Sequence, residues 1–336
     1  MKVTSFAKRL TAFLTEYLPA QRGVSPHTIR SYRDSFVLFL GFLRDKCGLA
    51  PERVDLDQLR PDVVVRFLRY LAQERGCGTG TCNLRLVAIH SFVKYLQLHE
   101  PGRMAEIQRV LAVPTRRFER GTVSYLSEKD LRTLLAQPDL TKPRERRDAV
   151  LLSLLYDTAA RAAEILALTA GDVRLESPAQ VHLHGKGGKK RAVPLMKATT
   201  AALRMYMRET GLDHPGRRDE RLFHSDRGET LTKSGLRYVL AKYAKRAATA
   251  DPAFRARLHP HMLRHSKAMH LVESGCPLHY VRDLLGHEDL RTTAIYARTN
   301  LELQRAALEK ADAGISARRL RPRPPQQDLL LMLRSL

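Results

Sequence analysis

Apolar residues recur every three or four positions through most of the first hundred residues, the period of amphipathic helices. Phe6, Leu10, Phe13, Leu14 and Tyr17 share a face of the segment Met1 to Leu18. Ser25-Pro26 joins an N-cap to a proline at the first helical position, and Tyr32, Phe36, Phe39 and Leu43 then fall on one face. Pro61 to Glu74 carries Val64, Phe67, Leu68 and Leu71, and a further helix over Thr81 to Leu98 aligns Leu84, Ala88, Phe92 and Tyr95. The pattern breaks between Leu111 and Val123, where Val113-Pro114-Thr115-Arg116-Arg117 leads through Glu119 and Arg120 to Gly121. A basic stretch punctuated by proline and glycine reads as a linker.

Helical periodicity returns after Ser127-Glu128-Lys129-Asp130, an N-cap signature ahead of Leu131, Leu134 and Leu135, and Asp148 to Tyr156 is strongly apolar. The period then changes. Val181-His182-Leu183-His184 alternates, Gly185-Lys186-Gly187-Gly188-Lys189-Lys190 turns, and Arg191-Ala192-Val193-Pro194-Leu195 returns, a β-hairpin with a lysine-rich tip. Helices resume to about Lys310. Arg318, Arg319, Arg321 and Arg323 then mix with prolines before an apolar plug, Leu329 to Leu333. The expected class is mostly α with a small β-hairpin or sheet. A helical unit over 1–112, a linker over 113–122, a mixed α/β unit over 123–310 and a tail over 311–336 complete the expected organisation.

Composition narrows the partner. The chain has 336 residues, 58 Lys+Arg against 35 Asp+Glu, and a formal net charge of +23. A balance this basic points first to nucleic acid. No apolar run approaches the ~18–20 residues of a membrane span, and the N-terminus lacks the continuous apolar stretch of a signal peptide. Cys47, Cys77, Cys82 and Cys276 have neither metal-ligand spacing nor the density of a disulfide framework, as expected of a chain in a reduced cytosol.

The candidate chemistry lies toward the C-terminus. His261-Met262-Leu263-Arg264-His265 is followed by Leu284-Leu285-Gly286-His287 and then by Tyr296. Attack on a phosphodiester without a metal needs cations for the phosphate, imidazoles for protons and hydrogen bonds, and a nucleophilic hydroxyl. A free phenol, with a pKa of about 10, needs a base and a positive field to serve. Arg264 and Arg161 suit a phosphate clamp, because planar guanidinium groups grip two oxygens each. Arg161 follows the apolar helix, with Glu164 as a potential ion-pair partner. Imidazole titrates near neutrality, which makes His261 and His287 candidate proton carriers. Lys186 could protonate a leaving oxygen if the hairpin delivers it. His259, His261 and His265 could instead suggest a metal, but no carboxylate completes an HExxH arrangement and Arg264 repels a cation.

The order of these residues carries more than any one of them: arginine after an apolar helix, lysine on a hairpin, His-x-x-Arg, Leu-Gly-His, then Tyr. In that order the chain resembles the tyrosine recombinase (phage integrase) superfamily, and within it the two-domain Xer-like integrases. The likeness spans residues 4–310. It is most specific from Pro260 to Arg298, where Pro-His-x-Leu-Arg-His and Leu-Leu-Gly-His-x-x-Leu-x-Thr-Thr-x-x-Tyr match the family pattern. The resemblance implies a SAM-like helical core-binding domain and a mixed α/β catalytic domain clamping double-stranded DNA. It implies Tyr296 as the nucleophile forming a 3′-phosphotyrosyl link, and Arg161 and Arg264 on the scissile phosphate. Lys186 would protonate the 5′ oxygen, His261 would assist proton transfer at Tyr296, and His287 would hydrogen-bond the phosphate. No metal, ATP or other cofactor is implied. A cytoplasmic homotetramer on two sites is, with C-terminal segments exchanged between neighbours and with a sister recombinase or accessory factor as an option. Two departures stand out. Thr158-Ala159-Ala160-Arg161 lacks the glycine that usually precedes this arginine, which removes easy access to positive φ, and Lys267 adds a charge with no assigned role. Two other readings stay open: a type IB topoisomerase-like or hairpin-forming resolvase using the same phosphotyrosine step, and a DNA-binding protein with a retired active site.

Overall fold

The computed structural model describes residues 3–117, 123–185, 188–254, 258–298 and 305. The chain divides into two compact units, Met1–Gly121 and Thr122–Leu336. The tail over 311–336, with its Leu329–Leu333 plug, lies outside the described residues, as do positions 118–122 of the expected linker.

The first unit is helical throughout, with α1 (Ser5–Ala12), α2 (Pro26–Cys47), α3 (Pro61–Gln73), α4 (Thr79–His99) and α5 (Met104–Leu111). α1 continues through wider π-type turns over Phe13–Gln21, which include Pro19 and bury Phe13 and Leu18. α2 begins where the sequence places it: the Ser25 hydroxyl accepts from the Thr28 amide, Pro26 takes the first turn, and Gly48 ends the helix at φ 65°. The core is aromatic. Phe92 meets Phe13 and Phe36 edge-on, with ring centres 5.3 and 5.2 Å apart, the arrangement the ring quadrupole favours. One expectation fails in detail. On α4 Ala88, Phe92 and Tyr95 of the expected face are buried, together with Leu86, Ile89, Val93 and Leu96, while Leu84 is exposed. The helix is apolar on more than one side, so a four-residue match could not fix its rotation fully.

The second unit wraps α6 (Glu128–Leu135), α9 (Lys197–Thr210), α10 (Lys233–Ala250) and α11 (Pro260–Glu273) about a central helix, α7 (Pro143–Asp157). α7 buries Val150, Leu151, Leu152, Leu154 and Leu155. It starts a turn and a half before the apolar run, at Pro143. The charges of that first stretch are matched inside the fold: buried Glu145 accepts from Arg246 at 2.6 and 3.0 Å, and Tyr243 donates to buried Asp148 at 2.9 Å. Short α8 (Ala162–Ala167) leads to a three-stranded antiparallel sheet of β1 (Val173–Arg174), β2 (Gln180–His184) and β3 (Lys190–Pro194), in that order. The expected hairpin is β2–β3, with Val181 opposite Val193 and Leu183 opposite Arg191. Strand β1 gave no sequence signal because it is two residues long. A second small core, built from Ala159, Ala268, Met269, Val272, Val281, Leu285 and Tyr296, joins α11 to α12 (Leu278–Leu285) and α13 (Leu290–Arg298).

Candidate active site

α7 ends at Asp157, and the four residues after it aim Arg161. The Thr158 hydroxyl folds back onto the Leu154 carbonyl at 2.6 Å and accepts from the Ala160 amide at 3.3 Å. Ala159 sits at φ 48°, the one non-glycine residue with positive φ among those described, and is fully buried. The turn that a glycine would make easily is therefore made by alanine, at a backbone cost of roughly 1–2 kcal/mol. Holding it is Arg264, whose Nη1 donates to the Ala159 carbonyl at 2.7 Å.

Arg161 caps α8, and its amide and Nη1 both donate to Glu164, each at 2.8 Å. The ion pair considered from the sequence is thus real. The side chain nevertheless stays 36% exposed, so it remains available to a ligand. Glu164 is 4% exposed and also takes both terminal nitrogens of Arg191, at 3.0 and 2.8 Å. Burial opposes its charge, but the bonds from Arg191 and Arg161 win and hold the carboxyl at about 2. Arg191 Nε donates in turn to the Leu284 carbonyl at 3.0 Å. One guanidinium thereby links β3, α8 and the end of α12. Gly286 follows at φ 61°, where a Cβ would stand 3.0 Å from Arg191 Nη1.

Arg264 is the most buried arginine among the described residues, 3% exposed. Besides Ala159 it donates to the Leu285 carbonyl at 2.7 Å and lies 2.9 Å from His287 Nε2. Burial, helped by Arg161, lowers it to about 10, still charged at neutral pH. Because arginine only donates, His287 Nε2 accepts, and its Nδ1 carries the hydrogen to the Thr293 hydroxyl at 3.0 Å. His287 is pushed down to about 4 by burial and the nearby arginines, consistent with that neutral ring.

Tyr296 is 1% exposed. Its hydroxyl lies 2.7 Å from His265 Nδ1, and burial raises its pKa against the opposing pull of Arg264. His265 is pushed down to about 4, first by burial and then by His261, His259 and Arg264. His261, the imidazole expected at the tyrosine, is one helical turn away, its ring centre 6.3 Å from that of His265. Lys186 lies outside the described residues; beside it, Gly185 and Lys189 line a cleft of about 700 Å³ with Arg161, Arg191, His287 and Thr292. A larger concavity of about 920 Å³ shares none of these residues. The structure thus brings Arg161, Arg264 and His287 together and sets Tyr296 against the same helix. His265, Glu164 and Arg191 were not assigned to the site from sequence. Glu164 had a signal in its i+3 spacing from Arg161, and His265 in its place beside Arg264 in the Pro-His-x-Leu-Arg-His stretch.

Two loose ends close here. Lys267 packs over the Tyr156 ring at 4.7 Å and lies 4.0 Å from Asp157, a structural role at the end of α7. Among the described residues, no group of three or more His, Cys, Asp or Glu side chains is placed to hold a metal ion.

Residues 124–302 match the model of the phage integrase family, and residues 10–100 match the phage integrase N-terminal SAM-like domain. The chain belongs to the phage integrase family. The chain is 38% identical to the putative integrase/recombinase y4rC of Sinorhizobium fredii, over 100% of this chain and 99% of that protein. It is 32% identical to tyrosine recombinase XerC of Bacillus subtilis, over 89% and 94% of the two chains. Among solved structures, XerH recombinase bound to a palindromic difH substrate superposes with a TM-score of 0.65 at 21% identity, covering 91% of this chain and 85% of that one. The Tn1549 transposon integrase in complex with transposon right-end DNA gives 0.67 at 15%, over 90% and 99%. The likeness confirms both the mostly helical, two-domain fold class and the tyrosine recombinase class of enzyme. No helix among the described residues is long and apolar enough to cross a membrane.

Proposed function

We propose that this integrase is a site-specific recombinase that cuts and rejoins double-stranded DNA through Tyr296. The observation that carries the reading is the convergence of two arginines of different character beside a buried tyrosine. Arg161 opens onto a cleft, while Arg264 is fixed by two backbone carbonyls and charged at neutral pH. Tyr296 attacks the scissile phosphorus and forms a 3′-phosphotyrosyl link. Arg161 and Arg264 bear the charge of the pentacoordinate transition state, and His287 hydrogen-bonds a phosphate oxygen. His261 assists proton movement near the tyrosine, and Lys186 protonates the departing 5′ oxygen. Because the phosphotyrosyl link conserves the ester, a 5′-hydroxyl from a partner strand reverses the step without ATP or metal. Two exchanges make a Holliday junction and four make recombinant DNA.

Residues 1–112 form the core-binding domain, 113–122 the linker, 123–310 the catalytic domain and 311–336 a tail exchanged within a homotetramer on two sites. A cytoplasmic location fits an enzyme that meets the chromosome or a mobile element there, alone or with a sister recombinase. Relatives and structural neighbours named as recombinases do not favour a topoisomerase-like enzyme or a retired binding protein.

The test is a duplex carrying the element's end, nicked so that cleavage releases a short fragment. An SDS-stable adduct in EDTA, lost in Tyr296→Phe, is the expected result. No adduct on a site the protein binds, or one that survives the substitution, overturns the reading. Product formation without a second site would favour the topoisomerase.

A further inference from the structure

The hydroxyl of Tyr296 is in short contact with an imidazole that the sequence motif contains but to which it assigns no role. His265 Nδ1 is 2.7 Å from it, with ring centres 5.7 Å apart and planes inclined at 52°. His261, the other candidate, is exposed and offset by a turn of the same helix. The contact is not an accident of a mobile surface: Tyr296 is buried in the small core of α11, α12 and α13, and His265 is half-buried beside it.

We propose that His265 is a catalytic residue, the base that takes the proton of Tyr296 during strand cleavage and returns it during rejoining. This rests on Tyr296 being the nucleophile. The step balances as follows. The Tyr296 O–H bond breaks and its proton goes to His265 Nδ1. The phenolic oxygen bonds to phosphorus, the P–O5′ bond breaks, and the 5′ oxygen leaves with a proton from the hairpin lysine. Rejoining runs the same transfers backwards, with His265 reprotonating the leaving tyrosine.

The surroundings of His265 suit a base that works only with substrate present. Facing it are His261, His259 and Arg264 from its own helix and Tyr296 from α13. Burial disfavours an imidazolium there, and the positive charge of Arg264 adds to this, so the ring is neutral and carries a lone pair at neutral pH. An incoming phosphodiester brings a negative charge to Arg264, which offsets that cation and makes the imidazolium easier to form. Proton transfer is thereby tied to the arrival of the phosphate.

His265→Asn keeps an acceptor near the Nδ1 position but cannot take a proton at neutral pH. Single-turnover cleavage of the nicked duplex should slow about 10²–10⁴-fold, the range for losing a general base, while DNA affinity and melting stay close to wild type. Its rate should also climb with pH toward the phenol's own ionisation instead of levelling off. Cleavage within about threefold of wild type, or faster because the tyrosine is released from storage, overturns the inference. If the variant fails to fold, nitrogen NMR of the intact wild-type chain decides. A hydrogen-free Nδ1 on His265 supports the base, whereas an Nδ1 that carries the hydrogen and donates to Tyr296 refutes it. A wild type that forms no adduct, or a Tyr296→Phe that does, sinks the nucleophile assignment itself; a normal wild type with an unimpaired His265→Asn sinks only the base.

Discussion

Glu164 offers the sharpest test of what organises the site. Its carboxylate is buried and accepts four N–H groups, from the backbone and Nη1 of Arg161 and from both terminal nitrogens of Arg191. Glu164→Gln preserves the shape, removes the charge and turns an amide donor toward a guanidinium. The fall of the carboxyl from 4.5 to about 2 corresponds to about 3 kcal/mol of folding stability, within the ~3–5 kcal/mol typical of breaking a buried pair. The sign follows from a depressed acid. Its stabilisation is complete above the unfolded pKa near 4.5 and is lost as pH falls through the folded value. The gap between wild type and Glu164→Gln should thus be about 3 kcal/mol at pH 7 and roughly half of that at pH 3. Urea unfolding followed by far-ultraviolet circular dichroism at the two pH values measures it, on the transition that shifts between the chains. A gap that is equal at both pH values, or that stays below about 1 kcal/mol at pH 7, would refute the charge-based account.

Two further substitutions probe the turns that carry the arginines. At Ala159, already at positive φ and fully buried, Ala159→Val should destabilise by about 2–4 kcal/mol, because branching adds both strain and overpacking. Ala159→Gly should stay within about 1 kcal/mol, since relief of strain offsets the lost methyl and the looser unfolded chain. Thermal melting compares them, and a valine that melts like wild type would deny that the turn is tight. Gly286→Ala meets Arg191 as well as a left-handed backbone, whereas Gly275→Ala meets only the backbone, at φ 81° with open space around it. The first should lose more stability than the second and should also slow adduct formation. Equal losses would show that the Arg191 contact is slack.

How much of this was legible beforehand depended on the range of the interaction. Cap signals such as Ser25-Pro26 act within a turn and were readable, as was the β2–β3 hairpin, whose alternation is local. The start of α7 was misplaced because its charged residues are buried against α10, and no sequence window holds both. Arg161, Arg264, His287 and Tyr296 stood out through residue type and order. The missing glycine before Arg161 suggested an altered turn. The structure retains positive φ with alanine because Arg264, more than a hundred residues later, bonds to that carbonyl. His265 was overlooked for a similar reason: only the packing of α13 on α11 decides which of two histidines four residues apart meets the tyrosine.

The bond between Arg264 and His287 has a consequence for how substrate arrives. In the free protein the imidazole nitrogen occupies one donor direction of the guanidinium, and the carbonyls of Ala159 and Leu285 occupy others. In the proposed role of Arg264, an entering phosphate oxygen would replace a neutral acceptor with a charged one, around an arginine that is already buried and held. Docking becomes an exchange of one bond rather than the dehydration of a solvated cation. The imidazole it displaces is left next to that oxygen, with its nitrogen free to take up a proton and bond to it.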